Sequence, residues 1–406
     1  MGEIVAPEGA PLAVAVISSR DLEVSTRFYA DVIGLDVMDE TRWSGSAFER
    51  LWELPPGAAA RCRLLAAGAS AVGRVLLVEF DGRSLAAGTV RESIHPRADS
   101  QQFGLANLNF YDADIHASTA RLKAAGYSFW SEPTRHSLTA GVGNPIEVIF
   151  DGPDGVAINL IELASTDPAT RIGQMRAYVD RHGRTRTGFT PVVTTSHVAR
   201  SIPRARAFYE RVLRMGVLID EVMSADRVNA FLRLPDGART HITFMQGNHM
   251  FGKIALAEPL NYADACVDLR PRAHAPNVGY LAQAFELRSS AALEAAIRAC
   301  RELEVEFVCE AVNGSNTDLS ATIGVYVDGK RFNSRTVKLK STAPSVNLKV
   351  GTLVSVRVIS GTVSVESKGK VVKVDPSTGI VTVAITETGA QLSGTLAADG
   401  SVEVKA

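Results

Sequence analysis

The 406-residue chain lacks any run of the roughly 18 to 20 consecutive apolar residues that a membrane-spanning helix needs. Its first residues, MGEIVAPEGAPLAVAVISSRD, put an acidic group ahead of a short apolar run, where a secretory leader carries basic ones. The expectation is a cytoplasmic protein with no membrane partner. Excess charge of either sign is also missing: 43 Lys and Arg stand against 44 Asp and Glu, so no field draws nucleic acid. Cysteine is scarce. Cys62, Cys266, Cys300 and Cys309 fall at no metal-like spacing, and a chain this long has no need of a disulfide framework, so they read as buried thiols. G-x-G-x-x-G, Walker and G-x-S-x-G sequences are absent, which removes the support for nucleotide binding and serine-hydrolase chemistry. The PDG sequences at Pro153 to Gly155 and Pro235 to Gly237 are turn chemistry rather than phosphate loops.

Lysine is nearly missing from the first three quarters. Up to Glu310 there are 30 Arg and 2 Lys, whereas Ala311 to Ala406 holds 3 Arg and 8 Lys. Either residue solvates a surface, so the switch reflects separate ancestry rather than fold. The segment from Ala311 on is rich in Val, Ser, Thr and Gly and alternates cleanly, as in GTLVSVRVIS and GIVTVAITETG. Turn signals at Asp328-Gly329, Lys368-Gly369, Asp375-Pro376 and Asp399-Gly400 complete the pattern of an all-β domain, a sandwich or small barrel.

What the first 310 residues do contain is an internal repeat. RFYADVIGLDV (Arg27 to Val37) matches AFYERVLRMGV (Ala207 to Val217), and LWELPPGAAAR (Leu51 to Arg61) matches FLRLPDGARTH (Phe231 to His241). GRVLLVE (Gly73 to Glu79) then lies on GKIALAE (Gly252 to Glu258), and FGLANLNFY (Phe103 to Tyr111) on VGYLAQAFE (Val278 to Glu286). Each copy is again double: a strand, an amphipathic helix and several short strands, twice over. Leu12 to Ile17 is strand-like; Leu22 to Val32 is helix-like, with Val24, Phe28 and Val32 as its apolar face. Leu105 to Tyr111 opens a second unit, whose helix from about Ile115 ends at Gly126. The fold class is therefore α+β, two pairs of βαβββ modules followed by an all-β domain. The expected divisions are residues 1–168 as a first paired domain, 169–187 as a linker with one helix, 188–310 as a second, incomplete pair, and 311–406 as the β domain.

DLEVSTRFYADVIGLDV (Asp21 to Val37), IHASTARLKAAGYSF (Ile115 to Phe129) and FDGPDGVAINLIEL (Phe150 to Leu163) resemble the vicinal oxygen chelate superfamily of glyoxalase, bleomycin-resistance and type I extradiol dioxygenase proteins. The resemblance spans about residues 11 to 310 and implies modules paired into concave sheets. It leaves activity open, because lyases, dioxygenases, epimerases and plain binding proteins share this plan. In metal-dependent members a His, Gln or Glu enters the cup from the first and last strand of each module. By the resemblance, those positions are here Val14, Leu76, Asn107 and Asn159 in the first two modules, and Thr194, Ala255 and Ala282 in the others, with Thr336 as a distant stand-in for the last. None is an imidazole or carboxylate, the donors that hold hard or borderline divalent ions.

His197, His241 and Glu286 offer an alternative two-His, one-carboxylate metal set. His249 and His274 lie in loop-like sequence and read as solvated. Tyr29 and Tyr209, each after a Phe, read as core residues whose hydroxyls reach the rim. Asn107, Asn109 and Tyr111 alternate with Leu108 and Phe110, which puts all three polar groups on one strand face, the concave one by the resemblance. Asn159 is expected to face the same cup. Amides both donate and accept, which suits a polar organic ligand or, equally, mutual hydrogen bonding in a disused pocket.

The leading expectation is a metal-independent protein of this superfamily that binds a small organic molecule in the first paired cup through Asn107, Asn109, Tyr111 and Asn159, with no cofactor. A metal-dependent lyase or extradiol-type dioxygenase is the alternative, and an interaction protein using its β tail is a third. The sequence leaves a homodimer open.

Overall fold

The computed structural model describes residues 5–82, 89–136 and 142–305, and beyond them the backbone of nine strands between residues 309 and 405. The chain divides into two compact units: residues 1–310 with 321–337, and residues 311–320 with 338–406. The return of 321–337 to the first unit departs from a clean division at residue 311.

Module one comprises β1 (Leu12–Ser18), α1 (Leu22–Arg27), β2 (Asp36–Ser44), the short α2 (Ser46–Trp52), β3 (Ala59–Ala66) and β4 (Arg74–Phe80). Asp21 starts α1 by accepting the amides of Glu23 and Val24, each at 3.0 Å. The helix runs on as a π-turn over Phe28–Val32. Its buried face holds Leu22, Ser25, Thr26, Phe28 and Tyr29, while Val24 is 45% exposed. The apolar spacing misleads here because small polar side chains occupy the inner face, where they bond. Ser25 Oγ donates to Asp154 Oδ2 at 2.6 Å, and Thr26 Oγ1 accepts from Arg63 Nη1 at 2.9 Å.

Module two follows as β5 (Gln102–Asp112), α3 (Ile115–Ala124), β6 (Thr134–Arg135), β7 (Ile146–Asp151) and β8 (Ala157–Glu162). A connecting helix, α4 (Arg171–His182), is capped by Thr170. Module three is β9 (Thr194–Val198), α5 (Ile202–Arg211), β10 (Gly216–Met223), α6 (Asp226–Leu232), β11 (Thr240–Gln246) and β12 (Lys253–Pro259). After β13 (Val267–Asp268), module four supplies β14 (Gly279–Phe285) and α7 (Ser290–Glu302).

In each complete module the first strand pairs in parallel with the last, which leaves it one open edge. Those edges are filled across modules. β1 pairs antiparallel with β14 and β5 with β9, giving sheet orders β14-β1-β4-β3-β2 and β10-β11-β12-β9-β5-β8-β7-β6, with β13 beside β5. Module one is thus joined to module four, and module two to module three. The expected pairing of modules one and two is replaced because either neighbour presents a chemically similar edge. The connection over residues 81–101 is long enough to carry the chain from one sheet to the other. Among the described residues, module four adds a single strand, β14, to its sheet.

The two sheets share a core. Leu12, Ile17 and Leu77 of one and Leu108, Phe110 and Leu160 of the other belong to one buried cluster with Phe28, Ile115 and Phe208 of the helices. The PDG turn is part of this join: Asp154 (φ 62°) accepts the Arg20 amide at 2.8 Å as well as Ser25, tying module two to module one. Tyr29 and Tyr209 are 0% and 3% exposed. Their hydroxyls do not reach the rim, and Tyr209 Oη donates inward to Gln283 Oε1 at 3.2 Å.

Strands β15 (Cys309–Gly314) and β16 (Asp318–Thr322) pair with each other, as do β17 (Val325–Val327) and β18 (Lys330–Phe332). β19 (Leu353–Ser360), β20 (Val363–Val374), β21 (Ile380–Ile385), β22 (Gln391–Leu396) and β23 (Val402–Lys405) form a closed barrel, sealed by the parallel pair β19 and β23. The turn expected at Lys368-Gly369 is instead the middle of β20, where Gly369 faces Val354 on one side and Ile385 on the other. A strand paired on both edges overrides the local turn preference. Asp328-Gly329, Asp375-Pro376, Asp399-Gly400 and Thr336 lie outside the described residues. Among the described residues no helix is long and apolar enough to cross a membrane.

Candidate ligand cup of modules two and three

The register of the larger sheet builds its concave face row by row. Asn109 stands opposite Asn159 on β8 and Thr194 on β9, and Thr194 opposite Lys253 on β12. One row therefore reads Asn159, Asn109, Thr194, Lys253, spanning about 14 Å at the usual strand spacing. The neighbouring row toward α4 contains Tyr111 and Ile161, and the row on the other side contains Asn107, Ser196 and Ala255. All of these line one cavity of about 190 Å³. Apolar walls come from Ile149, Phe244 and Ile242, with Ile172 and Met175 of α4 and Phe231 of α6 at the border. The segment expected to be a linker therefore supplies part of the wall.

The polar groups are only partly satisfied. Asn109 Nδ2 donates to the Thr194 carbonyl at 2.9 Å, and Asn159 Nδ2 to Glu147 Oε2 at 2.7 Å. Tyr111 Oη donates to Met175 Sδ at 3.6 Å. Among the described residues, Asn107 Oδ1, Asn159 Oδ1 and both ring nitrogens of His136 are buried without a hydrogen-bond partner. His136 is 2% exposed, its ring 4.7 Å from that of Phe231, and burial lowers its pKa, which favours the neutral imidazole.

Lys253 is the least expected member. It is 2% exposed, its Nζ donates to the Met250 carbonyl and lies 5.7 Å from the Tyr111 ring centroid, and burial pulls its pKa from 10.5 to about 7. Arg63, also buried, is instead held by Glu23 at 2.9 Å and Glu40 at 2.7 Å. Lys253 has no such carboxylate among the described residues.

The structure thus brings Asn107, Asn109, Tyr111 and Asn159 to one cavity, in the cup of modules two and three rather than one and two. Sequence reasoning missed Lys253, Glu147 and His136. Lys253 carried a usable signal as one of 2 lysines among 30 arginines before residue 311; Glu147 and His136 carried none. The alternative set does not assemble. His197 and His241 lie on strand faces opposite to Ser196 and Ile242, which line the cavity. His197 Nδ1 pairs with Tyr209 Oη at 3.4 Å, and His241 Nε2 with Asp220 Oδ1 at 2.5 Å. Glu286 is at the end of the other sheet, 3.6 Å from Arg74. His249 is half-buried and accepts the Phe251 amide at 3.0 Å, and His274 Nδ1 contacts the Ala275 carbonyl at 2.9 Å, so neither is simply solvated.

Four of the positions at which the resemblance implies metal ligands, Asn107, Asn159, Thr194 and Ala255, do meet in this cup. They offer two amides, a hydroxyl and a methyl group beside a buried amine. This donor set does not fit a divalent ion. Val14, Leu76 and Ala282, on the other sheet, are aliphatic and buried. No group of three or more His, Cys, Asp or Glu suited to a metal occurs among the described residues.

Residues 12–160 match the family described as the Glyoxalase/Bleomycin resistance protein/Dioxygenase superfamily. A point-mutant form of glyoxalase I from Zea mays is similar in structure, at 14% identity, covering 81% of this chain and 93% of that one with a TM-score of 0.51. A glyoxalase family protein from Bacillus cereus, 20% identical, covers 37% of this chain and 91% of its own, with a TM-score of 0.30. The likeness at 0.51 shows the fold and says nothing of activity. No sequence among curated proteins matches the chain.

Proposed function

We propose, for a chain whose residues 12–160 match the Glyoxalase/Bleomycin resistance protein/Dioxygenase superfamily, a metal-independent protein that binds a small organic molecule in the cup of modules two and three. The observation that carries the reading is the set of orphaned polar atoms, Asn107 Oδ1, Asn159 Oδ1 and the His136 nitrogens, buried in a cavity with large apolar walls. Each costs about 1 to 3 kcal/mol while unsatisfied, so a ligand that donates to the amides and fills the apolar volume recovers both terms. Metal independence rests on the donor set at the four converging positions.

Calorimetric titration of 2-naphthamide into protein dialysed against EDTA tests this. Its rings match the apolar walls and its amide matches Asn107 and Asn159. One saturable site is expected, and Ala255→Trp should abolish it, because the indole fills the space beyond a methyl group that lines the cavity. Binding that vanishes on chelation and returns with iron, manganese, zinc or nickel supports the metal-dependent alternative instead. Binding indifferent to Ala255→Trp places the ligand elsewhere.

A further inference from the structure

We propose that Lys253 is the counter-ion for an acidic group on the ligand, so that the cup takes an apolar carboxylate in preference to a neutral molecule; this rests on reading the cup as a binding site. Three observations converge on it. Lys253 is 2% exposed at one end of the central row, its Nζ 5.7 Å from the Tyr111 ring centroid, and Tyr111 in turn contacts Met175 through its hydroxyl. The one hydrogen-bond partner of its Nζ among the described residues is the Met250 carbonyl, so an ammonium there has two donor positions left for a ligand. Among the described residues the one carboxylate lining the cavity is Glu147, which is bound to Asn159 and lies on β7, four strands from β12 along the sheet.

The charged and titratable groups around the amine strengthen the case. Tyr111 of β5 presents its ring, Arg171 of α4 lines the same cavity, and His249 ahead of β12 has its pKa lowered by burial first and by the Lys253 charge second. None supplies a negative charge. A carboxylate entering the cup restores the pairing that Glu23 and Glu40 give Arg63, with its apolar body along the row toward the Asn107 and Asn159 amides. The choice of lysine also follows. Arginine keeps its proton under all ordinary conditions, whereas a lysine amine can release it when the cup is empty and recover it when an anion arrives. A segment with 30 Arg and 2 Lys uses Lys at this one buried, uncompensated position.

The test compares 2-naphthoate with 2-naphthamide, ligands of equal shape, on the full chain. At pH 7 the acid is expected to bind at least tenfold more tightly. In Lys253→Met the ratio should fall to about one. Between pH 7 and 9 the wild-type advantage should shrink, since the carboxylate stays ionised while the free amine loses the proton that binding must restore. Calorimetry in buffers of different ionisation enthalpy should then show proton uptake. A ratio near one in the wild type, or one that persists in Lys253→Met, overturns the proposal. If the amide still binds in an Ala255→Trp-sensitive manner, that result leaves the cup reading intact. If neither compound binds, both readings fall.

Discussion

Lys253→Met is expected to melt roughly 5 to 10 °C above the wild type at pH 7. Burial pulls the lysine pKa from 10.5 to about 7. At about 1.4 kcal/mol per pKa unit, this is a penalty of a few kcal/mol on the folded state. The unfolded chain holds this proton up to pH 10.5, whereas the folded chain releases it near 7. Between those limits the unfolded state binds more protons, so this group makes stability rise with pH. The penalty is complete below pH 7 and fades toward 10.5. Methionine is unbranched, of similar volume, and can pack against the Tyr111 ring without a charge. The loss of the bond to the Met250 carbonyl offsets about 1 kcal/mol of the gain. Thermal unfolding of both proteins at pH 6, 7, 8.5 and 10 checks the claim: the gap should be widest at the two lower values and narrow at the higher ones. A variant less stable at pH 7, or a gap independent of pH, contradicts it. Such a cost is what the proposed binding site would carry if it trades stability for recognition.

Gly73→Ala is expected to cost about 3 kcal/mol, read as a lowered urea midpoint at unchanged slope. Gly73 sits just before β4 with φ +73°, and a Cβ there would stand 2.3 Å from the Val192 carbonyl oxygen and 2.9 Å from the Val192 nitrogen. Both contacts are backbone and cannot swing aside. Val192 leads into β9, and its amide donates to the Gly73 carbonyl at 3.0 Å, so the substitution strikes where module one meets module three. Its repeat counterpart Gly252 (φ +72°) is seated the same way, with its would-be Cβ 2.8 Å from the Leu12 carbonyl oxygen. Gly57→Ala is the control: its φ of +88° carries the same backbone strain, but nothing lies within 4 Å. It should cost only about 1 kcal/mol. Equal losses at the two sites would show that the close approach of modules one and three is not what Gly73 serves.

The module plan was legible because a 180-residue shift superposes RFYADVIGLDV on AFYERVLRMGV, and because helix starts such as Asp21 and strand alternation such as ANLNFY are local signals. The inner face of α1 was less so, since Ser25 and Thr26 are buried through hydrogen bonds that hydrophobic spacing does not register. Module pairing was not legible. The open edge of β5 is a row of amides and carbonyls, and nothing in residues 102–112 distinguishes β1 from β9 as its partner. Asn107, Asn109 and Tyr111 could be placed on one face by alternation alone, but the cup opposite them could not. Lys253 opens a strand-like segment, GKIALAE, whose repeat counterpart GRVLLVE carries Arg74 there, and strand pattern alone does not tell a buried amine from a solvated one.

We propose that a small organic molecule occupies the cup of modules two and three. Photolabelling with benzophenone-4-carboxylate, followed by peptide mapping, tests this most directly. Saturable labelling is expected within the strands bearing Asn107 to Tyr111, Asn159 to Ile161, Thr194 to Val198 and Lys253 to Ala257, and 2-naphthoate should compete it away. Saturable labelling on the strands of Val14, Leu76 and Ala282, or none that 2-naphthoate displaces, would contradict the claim.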